Sequence, residues 1–130
     1  MSYSDVQDAI ASIESRRRIR KDLPAFQRFV FSRCPKVSAL KIIHIAGTNG
    51  KGSTLNYIRS ILNAAGLRVG TLTSPALVSH LDRIRIDDQW IGEQEFLDLV
   101  NQYDEEWRAR GLAMFDIDVH IALSWFISQK

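Results

Sequence analysis

With a single cysteine, Cys34, the chain cannot form an internal disulfide, which excludes a cystine-stapled scaffold. No apolar run approaches the roughly 20 residues that a helical membrane span needs. The N-terminus is polar and helical in pattern rather than signal-like, so the cytoplasm is the expected location. A charge excess is missing too: 17 Lys plus Arg against 15 Asp plus Glu leave +2, too balanced for nucleic acid as the main partner. There is no internal repeat, low-complexity segment or linker, and the 130 residues, 45% hydrophobic and 25% charged, read as one globular domain.

What is present is organised around Ile42-Ile43-His44-Ile45-Ala46-Gly47-Thr48-Asn49-Gly50-Lys51-Gly52-Ser53-Thr54. An apolar run breaks into a glycine-rich turn and continues into a helical pattern. Gly47, Gly50 and Gly52 permit close backbone approaches, so successive N–H groups can point at an anion. Lys51 adds a point charge. The following helix begins with unpaired N–H groups, and the hydroxyls of Ser53 and Thr54 lie where a phosphate-bound magnesium could be met. The pattern departs from a standard Walker A loop, because Ile45 and Gly52 occupy the places of its first glycine and its hydroxyl residue.

Gly-Thr-Asn-Gly-Lys-Gly-Ser-Thr preceded by His-Ile-Ala resembles the phosphate loop of the Mur ligase superfamily, most closely that of folylpolyglutamate and dihydrofolate synthases. The likeness extends from about Leu23 to Phe126. It implies an α/β fold: a partial P-loop-type three-layer domain, the Mur ligase central domain, with parallel strands, flanking helices, a β-hairpin and an incomplete sheet. It also implies that residues 1–130 are the N-terminal part of that ATP-binding domain, without the C-terminal domain.

Along the chain, Ser4-Asp5-Val6-Gln7 reads as an N-cap with a capping-box glutamine, opening a helix to about Arg18. Arg16, Arg17, Arg18, Arg20 and Lys21 are either a solvated helix end or a steering patch for an anionic substrate. Pro24 suits the first turn of a second helix bearing Phe26, Phe29 and Val30, with Cys34 as a small packed residue. After the loop, Leu55, Ile58, Ile61, Leu62 and Ala65 form one helical face closed by Gly66, which should pack back on its strand. Leu67 to Thr73 reads as a second strand, parallel to the first. Arg83-Ile84-Arg85-Ile86, the turn Asp87-Asp88-Gln89 and Trp90-Ile91 read as a hairpin, whose arginines are either its wet face or a substrate contact. From about Glu93, a stripe of Phe96, Val100, Tyr103 and Trp107 reads as helical core.

Thr73-Ser74-Pro75 is on residue evidence an ordinary strand-ending turn. The resemblance implies otherwise: the family carries Thr-Ser-Pro-His here, whose serine helps hold magnesium, so Ser74 takes that role while Ala76 replaces the histidine. Phe115 to Leu123 alternates like a half-buried strand, yet also has a helical face. The resemblance selects a helix opening at Phe115-Asp116, with Asp116 in place of a glutamate that ligates magnesium. From the residues alone Asp116 is equally an N-cap. Asp118 and His120 read as solvent-facing, a metal pair being the lesser alternative.

The implied cofactors are ATP and Mg2+. Gly47, Thr48, Asn49, Gly50, Lys51, Gly52, Ser53 and Thr54 would bind the nucleotide, with Lys51 catalytic and Ser53, Ser74 and Asp116 at the metal. The implied reaction joins L-glutamate to a folate or dihydropteroate carboxylate. A non-catalytic nucleotide- or phosphate-binding module is the alternative. An uncovered sheet edge and apolar helix faces lead to an expectation of self-association, with inactivity of the isolated chain.

Overall fold

The computed structural model describes residues 3–16, 23–45, 51–73 and 79–129. Asp5, in an extended conformation, caps helix α1 (Val6–Glu14) by accepting the Gln7 N–H at 2.9 Å. The cap is therefore Asp5 rather than Ser4. The helix stops at Glu14, short of Arg18, and Arg16 leaves its axis to pair with the buried carboxylate of Asp104. For Arg16 neither expected reading holds; the other four basic residues of that run lie outside the described residues.

Helix α2 (Leu23–Arg33) has Pro24 in its first turn and buries Phe29 and Val30. The chain then turns at Cys34 into a short 3-10 helix, Pro35–Ala39. Cys34 is buried as expected, its Sγ 3.2 Å from Ser124 Oγ.

Helix α4 (Glu93–Ala109) presents Phe96, Val100 and Trp107 to the interior with no exposed surface, so the aromatic stripe is core. Helix α5 (Met114–Gln129) lies at the centre of the packing. It buries Ile117, Ile121, Ala122 and Trp125, and packs Met114, Leu123, Phe126 and Ile127 against the same cluster. A helix apolar on most of its circumference has to be covered on several sides, and α1, α4 and the sheet cover it. This explains why the alternation from Phe115 to Leu123 belongs to a helix: it records burial on several faces, not the two sides of a strand. Each fully buried aliphatic or aromatic side chain contributes about 1.5–3 kcal/mol.

The sheet has three strands, β1 (Gly70–Leu72), β2 (Ile84–Ile86) and β3 (Gln89–Trp90), in that order. Both pairings are antiparallel, with Gly70 opposite Ile86, Leu72 opposite Ile84, and Arg85 opposite Trp90. Asp87, at φ 55°, makes the hairpin turn. The expected parallel pair is not found among the described residues. Residues 41–45 form no strand, and Ile42 and Ile43 are 68% and 61% exposed. A parallel strand is stable when both its faces are covered, and these two isoleucines are not.

Helix α3 (Lys51–Ala64) shares that exposure. Tyr57 and Ile61 stand in solvent, Ala65 beyond the helix is exposed too, and none of the described α3 side chains is buried, so the helix does not pack back on a strand as expected. Its C-terminus is well closed. Gly66, at φ +89°, donates its N–H to the Asn63 carbonyl at 2.9 Å, and Leu67 donates to Leu62 at 3.0 Å, the left-handed cap that glycine favours. Asn63 Nδ2 reaches Asp87 Oδ1 at 2.6 Å, and Arg59 pairs with Asp88 at 3.0 Å, which joins the end of α3 to the hairpin turn.

Candidate functional site

Gly47, Thr48, Asn49 and Gly50 lie outside the described residues, and α3 begins directly after them at Lys51. Gly52 is within the first turn. Ser53 and Thr54 are exposed there, as an approaching ligand requires. The first turn of α3 contains no acidic residue. Its own sequence therefore leaves the positive end of the helix dipole and the unpaired N–H groups uncompensated, which favours an anion.

Ser74, Pro75 and Ala76 are also outside the described residues. Thr73, just before them, is held twice by one residue. Its N–H donates to the Arg83 carbonyl at 2.8 Å, and its carbonyl accepts the Arg83 Nε–H at 3.0 Å. Arg83 is 3% exposed, so it is not the wet face of the hairpin. Arg85 is half-buried and donates its Nε–H to the Asp82 carbonyl at 2.9 Å.

Asp116 sits in the first turn of α5, partly buried. It is not the N-cap, since the helix begins before it at Met114; its Oδ2 reaches back to the Ala113 N–H at 3.5 Å. That contact is long for a hydrogen bond.

Asp118 and His120 correct the sequence reading, because both are wholly buried rather than solvent-facing. Asp118 Oδ1 accepts the His80 Nε2–H at 2.7 Å, and Asp118 Oδ2 lies 3.0 Å from Arg83 Nη1. The latter contact is an ion pair too bent to be a hydrogen bond. His80 Nδ1 is 3.2 Å from Glu14 Oε2. Burial alone would lower the His80 pKa. The hydrogen bond and charge of Asp118, with the Glu14 bond, outweigh both that and Arg83, and hold it above the ordinary histidine value. His120 faces elsewhere, into the rings of Phe29, Tyr103 and Trp107. The two do not form a metal pair, and no group of three or more His, Cys, Asp or Glu suited to a metal occurs among the described residues.

Sequence reasoning missed His80. Its partner Asp118 is distant in the chain, beyond any periodicity. One local signal was available: Ser79 and Asp82 form a reciprocal capping box on the short 3-10 helix His80–Arg83, a pattern legible as Ser-x-x-acid.

Of the residues expected to meet the metal or the phosphates, those described are Asp116, a half-buried carboxylate, and Ser53 and Thr54, exposed hydroxyls. These are hard oxygen donors, and few in number. That donor set fits magnesium, which retains waters and shares phosphate oxygens rather than occupying an all-protein cage.

No protein-family model matches the chain. It is 48% identical over 63 residues to the dihydrofolate synthase/folylpolyglutamate synthase of Bacillus subtilis (strain 168), covering 48% of this chain and 15% of that protein. It is 36% identical over 107 residues to a folylpolyglutamate synthase of Arabidopsis thaliana, covering 74% of this chain and 17% of that one. The chain thus spans less than a fifth of the length of these two relatives. Among solved structures, it matches a bifunctional folylpolyglutamate synthase/dihydrofolate synthase crystallised with Mn, AMPPNP and L-glutamate. That likeness has 31% identity and a TM-score of 0.82, over 95% of this chain and 30% of the other.

Proposed function

We propose, from the premise that this chain is homologous to a stretch of the folylpolyglutamate and dihydrofolate synthases, that it carries the nucleotide-gripping part of an ATP-dependent amide ligase. In the whole enzyme the γ-phosphoryl of ATP would pass to a carboxylate of folate or dihydropteroate, giving ADP and an acyl phosphate. The amine of L-glutamate would then attack the acyl carbon, lose its proton and expel phosphate. The observation that carries the reading is the glycine-rich run from Gly47 to Thr54, continuing into α3 with no acidic residue in the helix's first turn.

The residues have separable tasks in this reading. Backbone N–H groups from Gly47 to Ser53, with the Lys51 ammonium, would bind the phosphates and offset charge growing on the transferred group. Ser53, Ser74 and Asp116 would hold magnesium, which supplies electrostatic stabilisation and alignment of the phosphates. Thr48, Asn49, Gly50 and Gly52 would shape the loop, and Thr54 would add its hydroxyl.

The chain is in this reading the opening portion of the ATP-binding domain of a cytoplasmic enzyme. Among the described residues no helix is long and apolar enough to cross a membrane. Alone, it would be inactive or nearly so, because it spans 30% of the matched structure and transfers of this kind depend on positioning. Its exposed apolar faces would promote self-association.

Calorimetric titration with ATP, with and without magnesium, tests the reading. Lys51→Ala should weaken binding about tenfold or more. Absence of nucleotide binding, or indifference to Lys51, overturns it. The second reading, a binding module without chemistry, is favoured by Ala76 and by Asp116 in place of the family's glutamate. Glutamate-dependent phosphate release separates the two.

A further inference from the structure

One buried cluster takes no part in the scheme above. Arg83, Asp118 and His80 are 3%, 0% and 4% exposed. They come from the short helix after the Thr73 turn and from α5, and join these elements through charged groups, beside the apolar packing that Leu81 shares with α5. Burying a guanidinium and a carboxylate is costly unless each is paired, and here Arg83 and Asp118 form an ion pair flanked by a hydrogen bond on each partner. Arg83 uses Nε on the Thr73 carbonyl and Nη1 on Asp118. The other Asp118 oxygen takes His80, which follows the cap residue Ser79.

We propose that Arg83, Asp118 and His80 form a positioning unit for the metal–nucleotide site, resting on the function proposed above. The unit pins Thr73, the residue before Ser74, and the first turns of α5, which carry Asp116, to a common buried carboxylate. Asp118 does not act on the Asp116 side chain directly. Positions separated by two point to different sides of a helix, so the cluster acts on Asp116 through the α5 backbone. Residues on both sides of residues 74–78 meet at Asp118: Thr73 through Arg83, and His80 directly. Oxygen ligands carried by two separate chain segments make a usable site only when those segments are held at a set distance.

The test uses Asp118→Asn, which keeps the side-chain size and removes the charge. Magnesium should raise ATP affinity in the parent chain. In the variant that increment should fall about tenfold or more, as for supporting residues around metal ligands, while magnesium-free affinity stays unchanged. A residue that merely held the fold together would lower both affinities or neither. Amide exchange supplies a ligand-free readout: the Thr73 amide, bonded to Arg83, and the Ile117 amide, bonded to Ala113, should exchange faster together, by about tenfold or more, with the Val100 amide unaffected.

Should Asp118→Asn fail to fold, Arg83→Met combined with Asp118→Leu removes the ion pair as a whole and leaves His80 its contact with Glu14. This pair should melt cooperatively and show the same losses, since neither side chain can bond to the Thr73 carbonyl. Folded variants that retain the magnesium increment and parental exchange overturn the inference. If the parent binds no ATP, the proposed function fails and the positioning role fails with it; joint exchange at Thr73 and Ile117 would then support only the mechanical coupling.

Discussion

The indole N–H of Trp107 donates to Nδ1 of His120 at 3.0 Å, with both side chains wholly buried. The bond requires Nδ1 to be an acceptor, so the neutral ring carries its proton on Nε2, which meets no hydrogen-bond partner among the described residues. Burial pushes the His120 pKa down to about 4; the Glu106 charge opposes this more weakly and the Arg33 charge adds to it. The unfolded chain takes up this proton near pH 6.5 and the folded chain does not. Stability from this residue is therefore complete above about pH 6.5 and declines as pH falls towards about 4, by roughly 2–3 kcal/mol. Urea denaturation of the parent and His120→Phe across that window should show a steeper acid loss in the parent. Equal slopes would contradict the assignment.

His80 should titrate in the opposite sense. Its folded pKa is raised, so its contribution is complete below about pH 6.5 and is lost as pH rises through the folded value. An NMR titration of the ring proton should place its midpoint above that of an unfolded peptide, and His80→Gln should remove the decline on the alkaline side.

Asp104 accepts Arg16 on one oxygen and Arg108 on the other, and its side chain is 4% exposed. Asp104→Ala leaves Arg16, itself mostly buried, without a counter-charge, so the expected loss is about 3–5 kcal/mol. Asp104→Leu combined with Arg16→Met should recover most of it in thermal melts.

Gly70 lies under the ring of Phe126, and a Cβ built there would come within 2.7 Å of the ring carbons. Gly70→Ala should cost about 1–3 kcal/mol. Phe126→Leu in the same chain should return part of that, a coupling measurable by a double-mutant cycle.

The exposed Ile42, Ile43, Tyr57 and Ile61 should make sedimentation depend on protein concentration. Ile43→Glu with Ile61→Glu should reduce that dependence. A parent chain that remains monomeric at every concentration would refute self-association.

Helices were legible where one face repeats: Phe96, Val100 and Trp107 were placed in the core by spacing alone, and Phe29 and Val30 likewise. The relation between strands was not, because pairing depends on which neighbours lie alongside. Leu67 to Thr73 contained β1, but its antiparallel partner is the hairpin strand, not the run at Ile42. Charge misled in a consistent direction. Arg83 reads as the hairpin's wet face or a substrate contact, and Asp118 and His120 as solvent-facing, whereas each meets a partner brought in by tertiary packing: Asp118 for Arg83, His80 for Asp118, Trp107 for His120. Of the candidate site, the first turn of α3 and Asp116 lie within the described residues, and the loop glycines and Ser74 do not.

The union of α3 with the hairpin turn, through Asn63 with Asp87 and Arg59 with Asp88, has a mechanical consequence. A helix of 14 residues is a rod about 21 Å long, so a tilt of about 5° at its foot displaces the far end, where Lys51 stands, by about 2 Å. The Arg59–Asp88 contact is between charges with Asp88 largely in water, and ions in solution screen such contacts over about 8 Å at physiological ionic strength. Added salt would therefore loosen the rod at its base and, by leverage, move the end that leads into the glycine-rich loop, without touching the loop itself.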